Sequence, residues 1–171
     1  MSFLVLILSA SLLAYVPQFF LGDRRDLRMA MRHGMAIGLL FTGVDHFLNA
    51  ATRYVPMIPD FLAPLAVPLV YVTGLAEIAG AIGLLVPVVV FRRLHLPNLQ
   101  RMAGFALALL FAFLVIANIN VAVKGIQVEG LPFGATYYLL RPFFQPVFIA
   151  WALYCVGPIN WRRPLGAVSL A

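Results

Sequence analysis

The sequence predicts an all-α integral membrane protein, a four-helix membrane domain with one extra transmembrane helix at its N-terminus. Three observations carry this expectation. Of the 171 residues, 63% are hydrophobic and only 11% are charged, whereas soluble domains carry about 25% charged residues. The mean hydropathy of +0.98 is too high for a surface that faces water. Five apolar runs, at 2–21, 34–51, 68–91, 102–123 and 139–157, come close to the roughly 20 residues a helix needs to cross a bilayer core. Lipid offers an open backbone no hydrogen-bond partners, so such runs must be helical.

The first run has no positive residue ahead of it, and its positive charge follows in Arg24, Arg25 and Arg28. That order fits an anchor with its N-terminus outside better than a cleaved signal peptide. Pro17 is expected to kink this helix near its inner end. Residues 1–33 therefore read as a transmembrane helix with a basic loop, 34–161 as the four-helix domain and 162–171 as a cytoplasmic tail. Between the second and third runs, Pro56, Pro59, Pro64 and Pro68 prevent a regular helix. The apolar residues among them suit either an interfacial loop or a lid folded over the bundle. In the third run, Ala76 and Gly80, and likewise Ala79 and Gly83, form four-residue small-residue spacings. These suit close packing within the bundle or against a second copy.

Charge placement orients the chain. Arg24, Arg25, Arg28 and Arg32 follow the first run, Arg92, Arg93 and Arg101 follow the third, and Arg162 and Arg163 lie in the tail. The other side holds only Arg53, Lys124 and Arg141. The basic side should be cytoplasmic, with the N-terminus outside and the C-terminus inside, as for a protein of a bacterial plasma membrane. A net charge of +6 distributed in this way orients a membrane protein and does not suggest a nucleic-acid partner. Cys155 is the only cysteine, which excludes an internal disulfide or a dithiol mechanism; it reads as a packing residue.

Ionisable groups inside a bilayer cost about 2.5–3.5 kcal/mol each, and they persist when paired, hydrated or useful. The second run holds Asp45 and His46, the third Glu77, the fourth Asn118 and Asn120, and the fifth Arg141 and Gln145. Alternating helix directions place all of them toward the outer face, with Glu77 deepest, roughly 13 Å in at 1.5 Å per residue. One shared pocket in the outer half explains this with the fewest assumptions. Within it Arg141 needs an anion, and Glu77 is favoured over Asp45 because it is deeper. Asp45, Glu77 and His46 can all exchange protons. The alternative is that these groups only fix packing register, at about 0.6 kcal/mol per interhelical hydrogen bond. A metal site from Asp45, His46 and Glu77 is weak with a single histidine, so none is expected. His33 and His95 read as solvated loop residues. Phe133, Tyr137, Tyr138, Phe143 and Phe144 read as an interfacial belt, some of them placed to flank a flat ring. The sequence carries no phosphate loop, dinucleotide fingerprint, haem motif or nucleophile–base pair.

At these residues the chain resembles a known family. Gly43-Val44-Asp45-His46-Phe47 is similar to the Gly-x-x-His-Phe element of DoxX-like membrane proteins. Thr73-Gly74-Leu75-Ala76-Glu77, followed by Gly83-Leu84-Leu85-Val86-Pro87, resembles the next helix of that family. Asn118, Arg141-Pro142, Gln145 and Trp151 fit its later helices. The resemblance spans about 34–161 and implies a DoxX-type four-helix domain to which the first helix is an addition. It implies functional positions at His46, Glu77, Asn118, Arg141 and Gln145. Some relatives are thought to be membrane subunits of quinone-linked oxidoreductases, including thiosulfate:quinone oxidoreductase; others look like partners in redox complexes or assembly helpers.

The leading expectation is thus a membrane subunit of a redox system that binds a quinone. No cofactor is intrinsic, so a protein partner is required to carry electrons onward; a homo-oligomer is the other association expected. A non-catalytic scaffold or assembly factor is the alternative. A small transporter or proton pathway is a third, against which the apolar inner half counts.

Overall fold

A computed structural model describes residues 3–21, 25–126 and 135–157. These residues form helices and short connections, with no strand among them. α1 (Phe3–Tyr15) and the short α2 (Gln18–Leu21) are separated at Val16-Pro17, so the expected disturbance at Pro17 is a break. Gln18 bridges across it, donating to the Ala14 carbonyl at 3.0 Å and accepting from the Asp26 N–H at 2.7 Å.

α3 spans Leu27–Leu48. It begins well before the second apolar run because the Asp26 carboxylate caps it, accepting from the Met29 N–H at 2.9 Å. Arg28, Arg32 and His33 are therefore helical rather than part of a loop. His33, expected to be solvated, is half-buried with its ring 2.7 Å from the Met29 carbonyl. The cap decides where the helix starts, whereas hydropathy marks only where it becomes apolar. His95 lies in a connection, exposed, as expected.

The proline-rich connection after α3 is a chain of short turns: a π-helical turn at Ala50–Tyr54 and 3₁₀ turns at Val55–Met57 and Asp60–Leu65. α4 (Ala66–Leu85) then stops earlier than its apolar run, because Pro87 has no N–H to offer the Gly83 carbonyl. A separate α5 (Val88–Arg93) follows. α6 (Leu99–Lys124) is capped by Asn98 and ends at Gly125, whose φ of +63° suits glycine. α7 spans Ala135–Cys155 and holds Pro142 and Pro146 in its interior. Residues 22–24, with Arg24, and the tail at 162–171 lie outside the described residues, as do Phe133 and 158–161 at the end of the predicted four-helix domain.

α3, α4, α6 and α7 pack in sequence, each against the next, and α7 closes back on α3. α1 lies against α3, where a Cβ on Gly34 would come 2.6 Å from the Ile7 carbonyl oxygen. Fully buried Ile7 joins Leu39, Leu84, Leu107 and Ala152 in the main core. The first helix is thus part of the bundle. The small residues of α4 are used inside it too: Gly80 faces Leu107 and Gly83 faces Ala103, both on α6. Where α4 breaks, the buried Gln100 donates to the Leu84 carbonyl at 2.9 Å. That buried polar group lies at the end expected to be apolar.

Among the described residues, three helical segments are long and apolar enough to cross a membrane: Phe3–Phe20, Asp60–Leu85 and Leu99–Lys124. α3 and α7 have 22 and 21 residues, about 33 and 31 Å at 1.5 Å per residue. They are more polar because they carry the site. Outward-facing Leu13, Val72, Leu109 and Val123 are each at least 60% exposed, an exterior suited to lipid.

Candidate functional site

The site is built where α3 and α4 cross. Gly43 and Gly74 face each other: a Cβ on Gly43 would lie 3.0 Å from the Gly74 carbonyl oxygen, and one on Gly74 2.6 Å from the His46 Cβ. Only glycine allows the two backbones to approach this closely. Three residues beyond each glycine, on the same helical face, stand His46 and Glu77. Their closest nitrogen and oxygen, Nδ1 and Oε2, are 3.8 Å apart. Thr42 sits between them, its hydroxyl donating to Glu77 Oε2 at 2.5 Å and its carbonyl accepting from His46 Nδ1 at 2.8 Å. A carbonyl can only accept, so Nδ1 carries the proton and Nε2 of the neutral ring is left as an acceptor.

A cavity of about 160 Å³ opens beside this crossing. Six of the seven polar residues assigned to one pocket in the sequence line it: Asp45, His46, Glu77, Asn118, Arg141 and Gln145; Asn120 instead donates to the Met57 carbonyl. Its apolar wall is aromatic. Phe148 meets Phe3 edge-on at 4.9 Å, and Phe111 and Phe144 lie 5.7 and 6.5 Å from it. An apolar cavity of about 150 Å³ is enough to take benzene, so this one admits a single six-membered ring.

The expected ion pair of Arg141 with Glu77 is not formed. Arg141 Nε donates to Asn118 Oδ1 at 2.9 Å and Nη2 lies 3.8 Å from the Met57 sulfur. Among the described residues its Nη1 is buried without a partner, and so is Oε1 of Gln145, one turn along α7. The alternative anion, Asp45, is taken by closer donors: Arg53, Asn49 at 2.5 Å and Tyr54 at 2.7 Å. Depth brought these groups into one cavity, but helix rotation and side-chain reach chose the pairs. Among the described residues no cluster of three metal-ligating side chains occurs.

Residues 35–156 match the family model described as "Domain of unknown function (DUF8561)". The chain belongs to that family. No curated protein and no solved structure matches it. The DUF8561 segment contains every cavity-lining residue except Phe3, which α1 contributes from outside it. Sequence reasoning missed Phe3, because an apolar residue in an apolar helix carries no signal of its own. It also missed Thr42, whose place four residues before His46 was the available signal.

In the DUF8561 segment the connection at residues 50–65 contributes Arg53, Tyr54 and Met57 to the cavity lining. Tyr54 stacks on the His46 ring at 3.7 Å. Burial, and then its hydrogen bond to Asp45, raise the Tyr54 hydroxyl pKa above its usual value and keep it a donor. Asn120 donates to the Met57 carbonyl at 3.1 Å, and Lys124 pairs with Asp60 at 2.7 Å. Asp45 and Asn120 thus hold this connection in place. Replacing Asp45 with Ala is expected to speed backbone hydrogen exchange across 50–57 by roughly tenfold or more, the loss of about one charged hydrogen bond, while exchange in the core of α6 holds. Unchanged exchange in the loop would remove Asp45 from this role.

Proposed function

We propose that this chain is a DoxX-like multi-pass membrane protein that serves as the membrane subunit of a quinone-linked redox system, with the cavity beside the α3–α4 crossing as its small-molecule site. The observation that carries this reading is the pair of α7 residues lining a cavity sized for one ring, Arg141 and Gln145, each with a buried polar atom, Nη1 and Oε1, that has no partner among the described residues. Unpartnered buried polar groups are rare in native proteins, and two at one cavity suit a ligand that completes them. Arg141 would hold a quinone oxygen, the phenylalanines would flank the ring, and His46 and Glu77 stand ready to hold a proton. A quinone supplies two-electron, two-proton chemistry when bound. The chain carries no redox centre of its own on this reading, so a partner protein would complete the electron path.

Arg28, Arg32, Arg92, Arg93 and Arg101 lie at the bundle end opposite the cavity. With the basic end in the cytoplasm, the cavity falls in the outer half of a bacterial plasma membrane. A scaffold is the second reading, favoured by the bonds of Asp45 and Asn120, which tie protein to protein. Mass spectrometry of the protein purified in mild detergent separates the two. About one quinone per chain, lost in Glu77→Ala, supports the redox subunit; an empty chain supports the scaffold.

A further inference from the structure

The cavity is sized for one six-membered ring, so a ligand that carries a long tail must leave the tail outside. Where the tail can lie depends on where the cavity opens. Among the described residues that line it, Phe41 alone is more than half open to the surroundings, at 57% exposed. Phe41 shares one stripe of α3 with Ile37, Val44 and Leu48, all apolar and exposed, at spacings of four, three and four residues. That stripe is the outward face of the helix. Phe41 stands seven residues before Leu48, about 10 Å short of the end of α3 at 1.5 Å per residue. The opening is therefore in the side of the bundle, below its end. α1 meets α3 on the inner side of this point, at Gly34 and Gly38. Toward the outer end, Met57 packs with Val121 and Tyr138 in a buried cluster. Arg53, the other lining residue near that end with an open flank, has a side chain only 23% exposed and is bound to Asp45.

We infer that the cavity opens sideways into the bilayer at Phe41, and that its ligand is a membrane-dissolved molecule whose ring enters the cavity while its apolar tail stays among the lipid chains along Ile37, Phe41 and Val44. This inference rests on the quinone-site reading above and names its substrate class: tailed quinones delivered from lipid, not ring compounds delivered from water.

The test uses the full chain in lipid nanodiscs, with 2,3,5-trimethyl-1,4-benzoquinone and its 6-decyl derivative as probes. Titration calorimetry gives each affinity, referred to the concentration of the probe in the bilayer. The decyl probe should bind at least as tightly as the tail-less one, because its tail never leaves lipid. An opening to water past Arg53 would instead draw the tail out of lipid at a loss of about fourfold per CH₂. Phe41→Trp, which crowds the opening, should weaken the decyl probe by roughly tenfold, the scale of forcing extra atoms into a packed contact, and leave the tail-less probe unchanged. Leu139→Trp, on an equally exposed residue of α7 outside the lining, should change neither. A decyl probe that binds more weakly than the tail-less one in the native chain overturns the sideways opening and leaves the ring site standing. No effect of Phe41→Trp, or an equal effect on both probes, overturns the placement of the opening at Phe41. If neither probe binds the native chain, the quinone-site reading falls and this inference falls with it.

Discussion

Arg141→Met is expected to weaken ligand binding by roughly 10- to 100-fold, the range for a lost hydrogen bond to a charged group, without lowering the stability of the empty protein. The expectation follows from what surrounds the guanidinium. Among the described residues it has one side-chain oxygen partner, Asn118, and a sulfur contact, while Nη1 has no partner. No carboxylate among the described residues pairs with it. A buried charge without a counter-ion is a cost to the fold, and relieving it offsets the hydrogen bond to Asn118 that the substitution removes. A packing role predicts the opposite sign. Thermal unfolding of both proteins without ligand decides it: a clear drop in the melting temperature of Arg141→Met would make Arg141 a structural residue.

Gly74→Ala is expected to destabilise the bundle by about 1–3 kcal/mol, the usual cost of forcing an extra methyl into a packed interior. Alanine is the better helix former by about 1 kcal/mol, so the sign depends on space. The new Cβ would lie 2.6 Å from the His46 Cβ and 3.1 Å from the Gly43 carbonyl oxygen. A side chain and a backbone would both have to move. α3 and α4 would separate where His46 meets Glu77, so binding should suffer along with stability. Leu75→Ala, one residue on and 62% exposed, should leave binding intact. Equal effects of the two substitutions would remove the glycine crossing from the account.

Part of this was legible in the sequence and part was not, for physical reasons. Polar residues in long apolar runs are expensive, so their depth is informative, and depth alone brought six residues on four helices to one cavity. Pairing needs more than depth. Asp45 is claimed by Arg53 and Tyr54 from a π-helical turn that no periodicity announces. With Asp45 taken and Glu77 held by Thr42, Arg141 turns to Asn118. The start of α3 was legible in Asp26, a favoured cap residue, but an apolar count passes over it. The end of α4 was legible in Pro87. Gln100 carries no sign of burial, because its partners are carbonyls freed by that proline break. The place of α1 in the bundle depends on Gly34 and Gly38, which make room for Ile7 and Phe3 and lie on a different helix.

The central claim is that the cavity beside Arg141 and Gln145 holds a small ring-bearing molecule. An experimental structure of the chain purified in native lipid, resolved well enough to see side chains, tests it most directly. The account predicts density for a flat ring within hydrogen-bond distance of Arg141 Nη1 and Gln145 Oε1, walled by Phe144 and Phe148. An empty cavity with Arg141 swung onto Glu77 would contradict it and make the polar cluster internal glue.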